Sequence, residues 1–238
     1  MARNLATFIA AVAAVALSCA TAPATPVPDA STSAIAGTVR LVPREGAPHS
    51  GDAGGTYGDR RLRDVQLVDY SKPGASVVYL DLGQRPGGRA ELAAVDSLAG
   101  ARLEPKFAAV GAGGEVIVAN RTRGEIVVSV PAVDRVERVA SGASLALRAD
   151  RAGPLEIFLL GAAEPARVWA APGPWTRPDA SGRFALTGLA PGRATLRAWH
   201  PRLPSASAEV DLRAGETATV DFEIGVGRGE GGHESHAH

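Results

Sequence analysis

The chain has 238 residues, and its 25 Lys and Arg side chains balance its 25 Asp and Glu side chains. A formal net charge of zero supplies no basic field of the kind that attracts nucleic acid or an anionic membrane surface. The single cysteine excludes internal disulfide bonds, so the folded part of the chain must be stabilised by its hydrophobic core.

The N-terminus has the pattern of an export signal. Arg3 supplies a positive charge, Leu5 to Leu17 is apolar apart from Thr7, and small residues follow. We predict a signal peptide over residues 1–22, because an apolar run of about 13 residues is too short to span a bilayer as a mature helix.

Two modes of signal cleavage fit this segment. Ala16-Leu17-Ser18-Cys19 resembles a bacterial lipobox, in which the cysteine is lipidated and becomes the first mature residue. The alternative is ordinary cleavage after Ala20-Thr21-Ala22, which gives a secreted or periplasmic protein without an anchor. Lipidation is favoured because Cys19 is the only cysteine of the chain and lies where a lipoprotein needs it. We therefore expect an exported protein on the periplasmic face of a bacterial membrane, attached only through an N-terminal lipid.

The remaining chain predicts an all-β fold of two tandem β-sandwiches. Residues 23–34 form a Pro/Ser/Thr tether, residues 43–64 a long loop, and Arg89 to Leu98 a candidate short helix. Elsewhere, alternating or β-branched runs are separated by Gly and Pro turn signals at the spacing of a Greek-key sandwich or barrel. The predicted strands are 35–42, 74–81, 101–107, 115–119, 125–130, 144–148, 155–160, 183–187, 193–199, 206–212 and 217–224.

Pro172-Gly173-Pro174 indicates a seam between two domains, predicted over residues 35–171 and 172–225. Trp169 and Trp175 flank this seam, where packing between the domains is favoured over stacking on a sugar ring. Residues 226–238 are predicted from their composition to be a disordered tail that contains histidines.

Several motifs in the second domain carry a family resemblance. They are Asp179-x-x-Gly182-Arg183-Phe184, Leu189-x-Pro191-Gly192 and Trp199-His200-Pro201. This part resembles carboxypeptidase regulatory-like modules, which are related to transthyretin-like (prealbumin-like) and carbohydrate-binding-like sandwiches. Together with Val77-Val78-Tyr79-Leu80, Phe107 and Gly113 to Asn120, it is similar to methylamine-utilisation-like periplasmic proteins. That resemblance implies a cupredoxin-like domain followed by a regulatory-like domain.

The resemblance also implies positions for copper ligands. Cupredoxins bind copper through two His, one Cys and usually a Met. No Cys follows residue 19 and no His lies between residues 49 and 200. We therefore predict a cupredoxin-like domain without copper ligands and expect no cofactor. By the resemblance, Asn120 is retained, Thr122 replaces an Asp, Ile126 replaces a His, and a Cys and a His position fall near Leu159 and Ala162.

Two sets of residues are weaker candidates for binding sites. His233, His236 and His238 in the tail could hold a divalent metal ion weakly, because histidine-rich tracts do so. Trp175, Trp199 and His200 are candidates for ligand binding. The favoured interpretation of His200, however, is a hydrogen-bonded residue at a turn that Pro201 fixes.

The sequence predicts a non-catalytic binding or accessory module of the cell envelope, with an envelope protein or a glycan as partner. No nucleophile or acid/base constellation can be assembled from it, so an enzyme is not expected. Two alternatives remain open. One is periplasmic copper or zinc handling through His200 and the tail histidines, and the other is a carbohydrate-binding module.

Overall fold

The computed structural model describes residues 28–43, 68–82, 87–98 and 100–225. Within these ranges the regular structure consists of strands and short 3-10 turns at Pro73–Ala75 and Pro131–Val133. The predicted signal peptide with Cys19, residues 23–27 of the tether, residues 44–64 of the long loop, and the histidine tail lie outside the described residues. No helix in the described part has the length and hydrophobicity needed to cross a bilayer.

Seventeen strands occur in the described residues, and together they form two sandwiches. The prediction of an all-β fold with tandem sandwiches is confirmed. The strands are β1 (Ser33–Val42), β2 (Val77–Leu80), β3 (Arg89–Ser97), β4 (Gly100–Glu104), β5 (Phe107–Gly111), β6 (Glu115–Asn120), β7 (Ile126–Val130), β8 (Arg135–Val139), β9 (Ser144–Arg148), β10 (Gly153–Leu159), β11 (Ala166–Ala171), β12 (Trp175–Thr176), β13 (Arg183–Leu189), β14 (Gly192–His200), β15 (Leu203–Leu212), β16 (Thr217–Thr219) and β17 (Phe222–Gly225).

One sandwich is built from the continuous stretch β3 to β11, and we call it the insert. Its sheets have the strand orders β4-β3-β6-β9 and β5-β11-β10-β7-β8. Its core is aliphatic, because alternate residues of these strands are Val, Leu, Ile or Ala and face inward. Leu92, Val116, Val118 and Ile157 are completely buried there.

The other sandwich, which we call the host, takes its strands from both sides of the insert. Its sheets are β13-β1-β16, with β17 also paired to β1, and β12-β2-β14-β15. β1 is antiparallel to β13 and parallel to β16 and β17, so it joins the N-terminal and C-terminal parts of the chain. The host core contains Phe184 and Phe222 among aliphatic residues.

This pairing differs from the domain boundaries that the sequence suggested. Residues 35–171 were expected to form the first domain, whereas β1 and β2 pair with strands of the C-terminal sandwich. A local pattern can indicate a strand but not its partner. Here the partner is distant in sequence, since the Ser33 hydroxyl donates a hydrogen bond to the carbonyl of Leu189, 156 residues away.

Two further predictions differ from the structure. The helix predicted over Arg89 to Leu98 is strand β3, since its exposed and buried residues alternate and it lies parallel to β6. Tertiary pairing here overrides the helix propensity of Ala, Leu and Glu. The single strand predicted over 217–224 is divided into β16 and β17. At the break, Asp221 Oδ1 accepts hydrogen bonds from the amide (2.8 Å) and hydroxyl (2.6 Å) of Thr38.

Candidate functional site

The ligand positions implied by the cupredoxin resemblance lie at one end of the insert. Ile126 begins β7, and Leu159 ends β10 beside Val128. Both side chains belong to the buried aliphatic core, and Ala162 packs against it. Hydrocarbon therefore occupies the positions where the resemblance implies copper ligands. Among the described residues, no group of three or more His, Cys, Asp or Glu could hold a metal ion.

Asn120, which the resemblance retains, organises the loop between β6 and β7. Its buried amide nitrogen donates to the carbonyls of Gly124 and Val139, each at 2.8 Å. Its Oδ1 accepts from the amide (2.9 Å) and hydroxyl (2.7 Å) of Thr122. Because these contacts use both ends of the carboxamide, Asn120 and Thr122 hold the loop in place and offer little to a ligand.

Two exposed leucines lie on the outer surface of the same end, where Arg121, Arg123 and Glu125 are also exposed. Leu98 and Leu160 lie at two turn tips, and their relative exposures are 111% and 80%, the highest of the large hydrophobic residues in the described part. The two turns adjoin, because a Cβ placed on Gly100 would lie 4.0 Å from the carbonyl oxygen of Gly161. We call Leu98 and Leu160 the turn-tip leucines. Sequence reasoning missed them, because apolar residues in turns have no periodic pattern.

His200 is buried at the end of β14, where a register shift follows Ala198. Its Nδ1 accepts a hydrogen bond from the Arg202 amide at 3.2 Å. Burial, and secondarily the charge of Arg202, lowers the pKa of His200 from 6.5 to about 4. The imidazole is therefore neutral at pH 7 and has one nitrogen engaged, as expected of a turn residue.

The tryptophans lie where the host and the insert meet. The rings of Trp169 and Trp199 stack with centroids 4.1 Å apart. Tyr79 and Phe107 flank this pair with centroid distances of 5.6 and 5.8 Å. Burial raises the pKa of the Tyr79 phenol, while the charge of Arg197 opposes that shift. We call this set the aromatic seam: Val77, Tyr79, Phe107, Ala109, Trp169, Ala171, Trp175 and Trp199.

The structure does not bring the three ligand-binding candidates together. Trp175 pairs with Tyr79 and packs into the aromatic seam with Trp199. His200 is the next residue of β14 after Trp199, and successive side chains of a strand point to opposite faces. His200 is accordingly buried on the host side, away from the seam. The tail histidines lie outside the described residues.

A cleft of about 370 Å³ lies on the host beside β1. Two similar turns border it, since Asp69 accepts a hydrogen bond from the Ser71 amide (3.1 Å) and Asp179 from the Ser181 amide (2.8 Å). Hydrogen bonds from Lys72 and Ser71 lower the pKa of Asp69 to about 2. The repeated Asp-x-Ser spacing was the available sequence signal for the pair of turns. The cleft is lined by Thr38, Val39, Arg40, Leu41, Tyr70, Ser71, Pro73, Ala180 and Ser181.

Comparison with known proteins gives structural likenesses among solved structures only. No protein-family model matches the chain, and no curated protein matches it. Among solved structures, the chain is similar to one described as a novel purple cupredoxin from Nitrosopumilus maritimus. The sequence identity is 12% and the TM-score 0.30, and the match covers 34% of this chain and 99% of the cupredoxin.

Proposed function

We propose that this chain is a non-catalytic binding or accessory module of the cell envelope, exported and anchored through Cys19. One observation carries the proposal: two exposed leucines lie on adjoining turns at the end of the insert where aliphatic core residues occupy the implied ligand positions. Inside, Ile126 and Leu159 occupy positions where the resemblance implies metal ligands. Outside, Leu98 and Leu160 are exposed on adjoining turns. Exposed apolar groups that lie together are typical of interaction sites, whereas single ones are common on any surface.

The resemblance to methylamine-utilisation-like proteins belongs to this proposal. It supplies the expectation that the insert keeps a cupredoxin-like scaffold while its metal chemistry is lost, which is compatible with a binding role because fold does not imply function. The metal-handling alternative needs His200 as a ligand. His200 is buried and its Nδ1 already accepts a hydrogen bond, which argues against that alternative.

Cross-linking of the tagged full chain in its native envelope tests the binding role. The unaltered chain should form a discrete cross-linked species. We expect the double variant Leu98→Ser/Leu160→Ser to form about fivefold less of it. The matched control is Val133→Ser/Val136→Ser, which removes two exposed valines elsewhere on the insert. Equal cross-linking by both double variants, or no discrete species with the unaltered chain, would count against the proposal.

Calorimetric titration with Cu(II) and Zn(II) tests the metal alternative independently. We compare the full chain, a chain that ends at Ile224, and the full chain with His200→Gln. We expect no metal binding tighter than about micromolar that involves His200. The affinity of the full chain should therefore be the same with and without His200→Gln. Stoichiometric binding that His200→Gln abolishes would replace the proposed function with metal handling.

A further inference from the structure

The chain enters and leaves the insert at a single place. On the host side, the Leu80 amide donates to the carbonyl of Pro174 at 3.0 Å, so the outgoing and returning strands touch. On the insert side, the adjacent amides of Gly111 and Ala112 donate to the carbonyls of Gly87 (2.9 Å) and Ala171 (2.7 Å). The two ends of the insert are therefore neighbours, as is typical of a domain placed inside another.

Each unit has a core of its own. The buried cluster of the insert contains only residues between 90 and 170, and that of the host only residues up to 80 and from 184 onward. None of the described strands of the insert pairs with a strand of the host. The two units share no strand ladder and no main core. The two chain segments that connect them therefore do not by themselves fix the orientation of the insert on the host.

The aromatic seam supplies the contact that does fix it. Every ring contact in it joins one unit to the other: Trp169 of the insert contacts Tyr79 and Trp199 of the host, and Phe107 of the insert contacts Trp199. The guanidinium of Arg177 on the host lies 5.1 Å from the Phe107 ring centroid. Stacked and tilted ring pairs contribute to stability beyond the area that they bury.

The closed seam also carries an unfavourable element. The indole nitrogen of Trp169 is buried and has no hydrogen-bond partner among the described residues. A buried donor without an acceptor loses its hydration without compensation. Separation of the two faces would return this group to water, so favourable ring contacts and an unfavourable buried N–H oppose each other in the seam.

We infer that the insert is an autonomous unit hinged at the Leu80–Pro174 crossing, and that the aromatic seam is a separable latch that holds it against the host. Hinges of this kind are formed by a few residues at the ends of elements. Gly173 is suited to the crossing, because a Cβ there would lie 2.1 Å from the carbonyl oxygen of Leu80. Opening would expose the sheet face of Tyr79 and Trp199.

Spin-label distance measurements on the full chain with Cys19→Ser test this inference. One label pair, Arg123→Cys and Arg193→Cys, spans insert and host at two exposed positions. A second pair, Arg123→Cys and Arg151→Cys, lies within the insert. Trp199→Ala removes the central ring of the latch. Phe222→Leu is the matched control, because it removes a ring contact, to Phe184, inside the host.

We expect one narrow distance between host and insert in the chain with an intact seam and with Phe222→Leu. Trp199→Ala should add a second, longer distance to the spanning pair and leave the pair within the insert unchanged. An unchanged distance between host and insert in Trp199→Ala would overturn the proposal that the seam is a latch. A broad distribution of that distance in the chain with an intact seam would overturn it as well. Broadening within the insert would overturn its autonomy. If Trp199→Ala does not fold, Arg177→Ala/Phe107→Leu weakens the same contacts, and the same outcomes decide.

Discussion

The insert and the host are both β-sandwiches, but their chains are assembled in opposite ways. The insert is one continuous stretch, and the residues that pair in its sheets are never separated by the other unit. The host depends on β1, which pairs with β13, β16 and β17 from the far end of the chain. Strands that are distant in sequence pair only after the chain between them has closed into a loop. Folding of the host therefore requires β1 to meet strands that lie beyond the whole insert.

This difference also determines which interactions each unit depends on. The insert is held by an aliphatic core in which Leu92, Val116 and Ile157 are completely buried. The host has, in addition, close backbone contacts around β1, where Gly37 faces the bend between β16 and β17. A single substitution should therefore unfold one unit and leave the other folded.

The largest expected effect is in the host. A Cβ at Gly37 would lie 1.7 Å from the carbonyl oxygen of Val220, so Gly37→Val must displace β1 or the β16–β17 bend. We expect a loss of more than about 4 kcal/mol in host stability. Hydrogen exchange read by mass spectrometry should show early loss of protection in β1 and β13, while β6 and β9 stay protected.

Gly124→Ala is the control for this glycine substitution, because a Cβ at Gly124 has no atom within 4 Å and its backbone φ is ordinary. It should change stability by less than about 0.5 kcal/mol. Simultaneous loss of protection in both units of Gly37→Val would mean that they unfold as one cooperative body.

The converse prediction concerns the insert. Ile157 is completely buried between β7 and β11, and Ile157→Ala leaves a cavity in a core that no host residue can fill. We expect a loss of about 3 kcal/mol in the stability of the insert. Denaturant titration followed by hydrogen exchange should place the change in β6, β9 and β10. The exposed Val136→Ala serves as the control, and equal destabilisation of β1 would contradict the separation of the two cores.

The sequence was sufficient for the fold class because turn signals and alternation are local. Ser144 to Arg148 is predicted with the bounds that β9 has in the structure. Four strands of the insert, β3, β5, β8 and β11, were not predicted as strands. Two of them show different local reasons. β5 reads FAAVG, in which alanine carries little strand signal, and β8 reads RVERV, in which charges mask the alternation. β8 tolerates those charges because it is an edge strand, exposed along one side.

The candidate site was less predictable, because its features are relations between distant residues. The sequence shows that Ile126 and Leu159 cannot bind copper, but not that both lie in the same core. It places Trp169 and Trp175 near a seam, whereas the stacking partner of Trp169 is Trp199, which pairs with Val77. Trp199 and His200 are adjacent in sequence, yet strand geometry directs them to opposite faces.

The smallest expected effect distinguishes the two units by pH. The insert contains no histidine, while His200 is buried in the host with a pKa lowered to about 4. Between pH 6.5 and 4 the unfolded chain binds a proton at this residue and the folded host does not, so host stability falls as the pH falls.

We expect a loss of about 2 kcal/mol over this range, no further loss from His200 below it, and none above pH 6.5. The pKa values of Asp69, about 2, and of Asp179 are also lowered, so their contributions are lost from about pH 5 downward and overlap only the acid end of this window. Hydrogen exchange at pH 6.5 and 4.5, corrected for intrinsic rates, should show weaker protection in β14 and β15 with little change in β6. His200→Gln should remove that pH dependence. If the dependence persists in the variant, protonation of another host group must account for it.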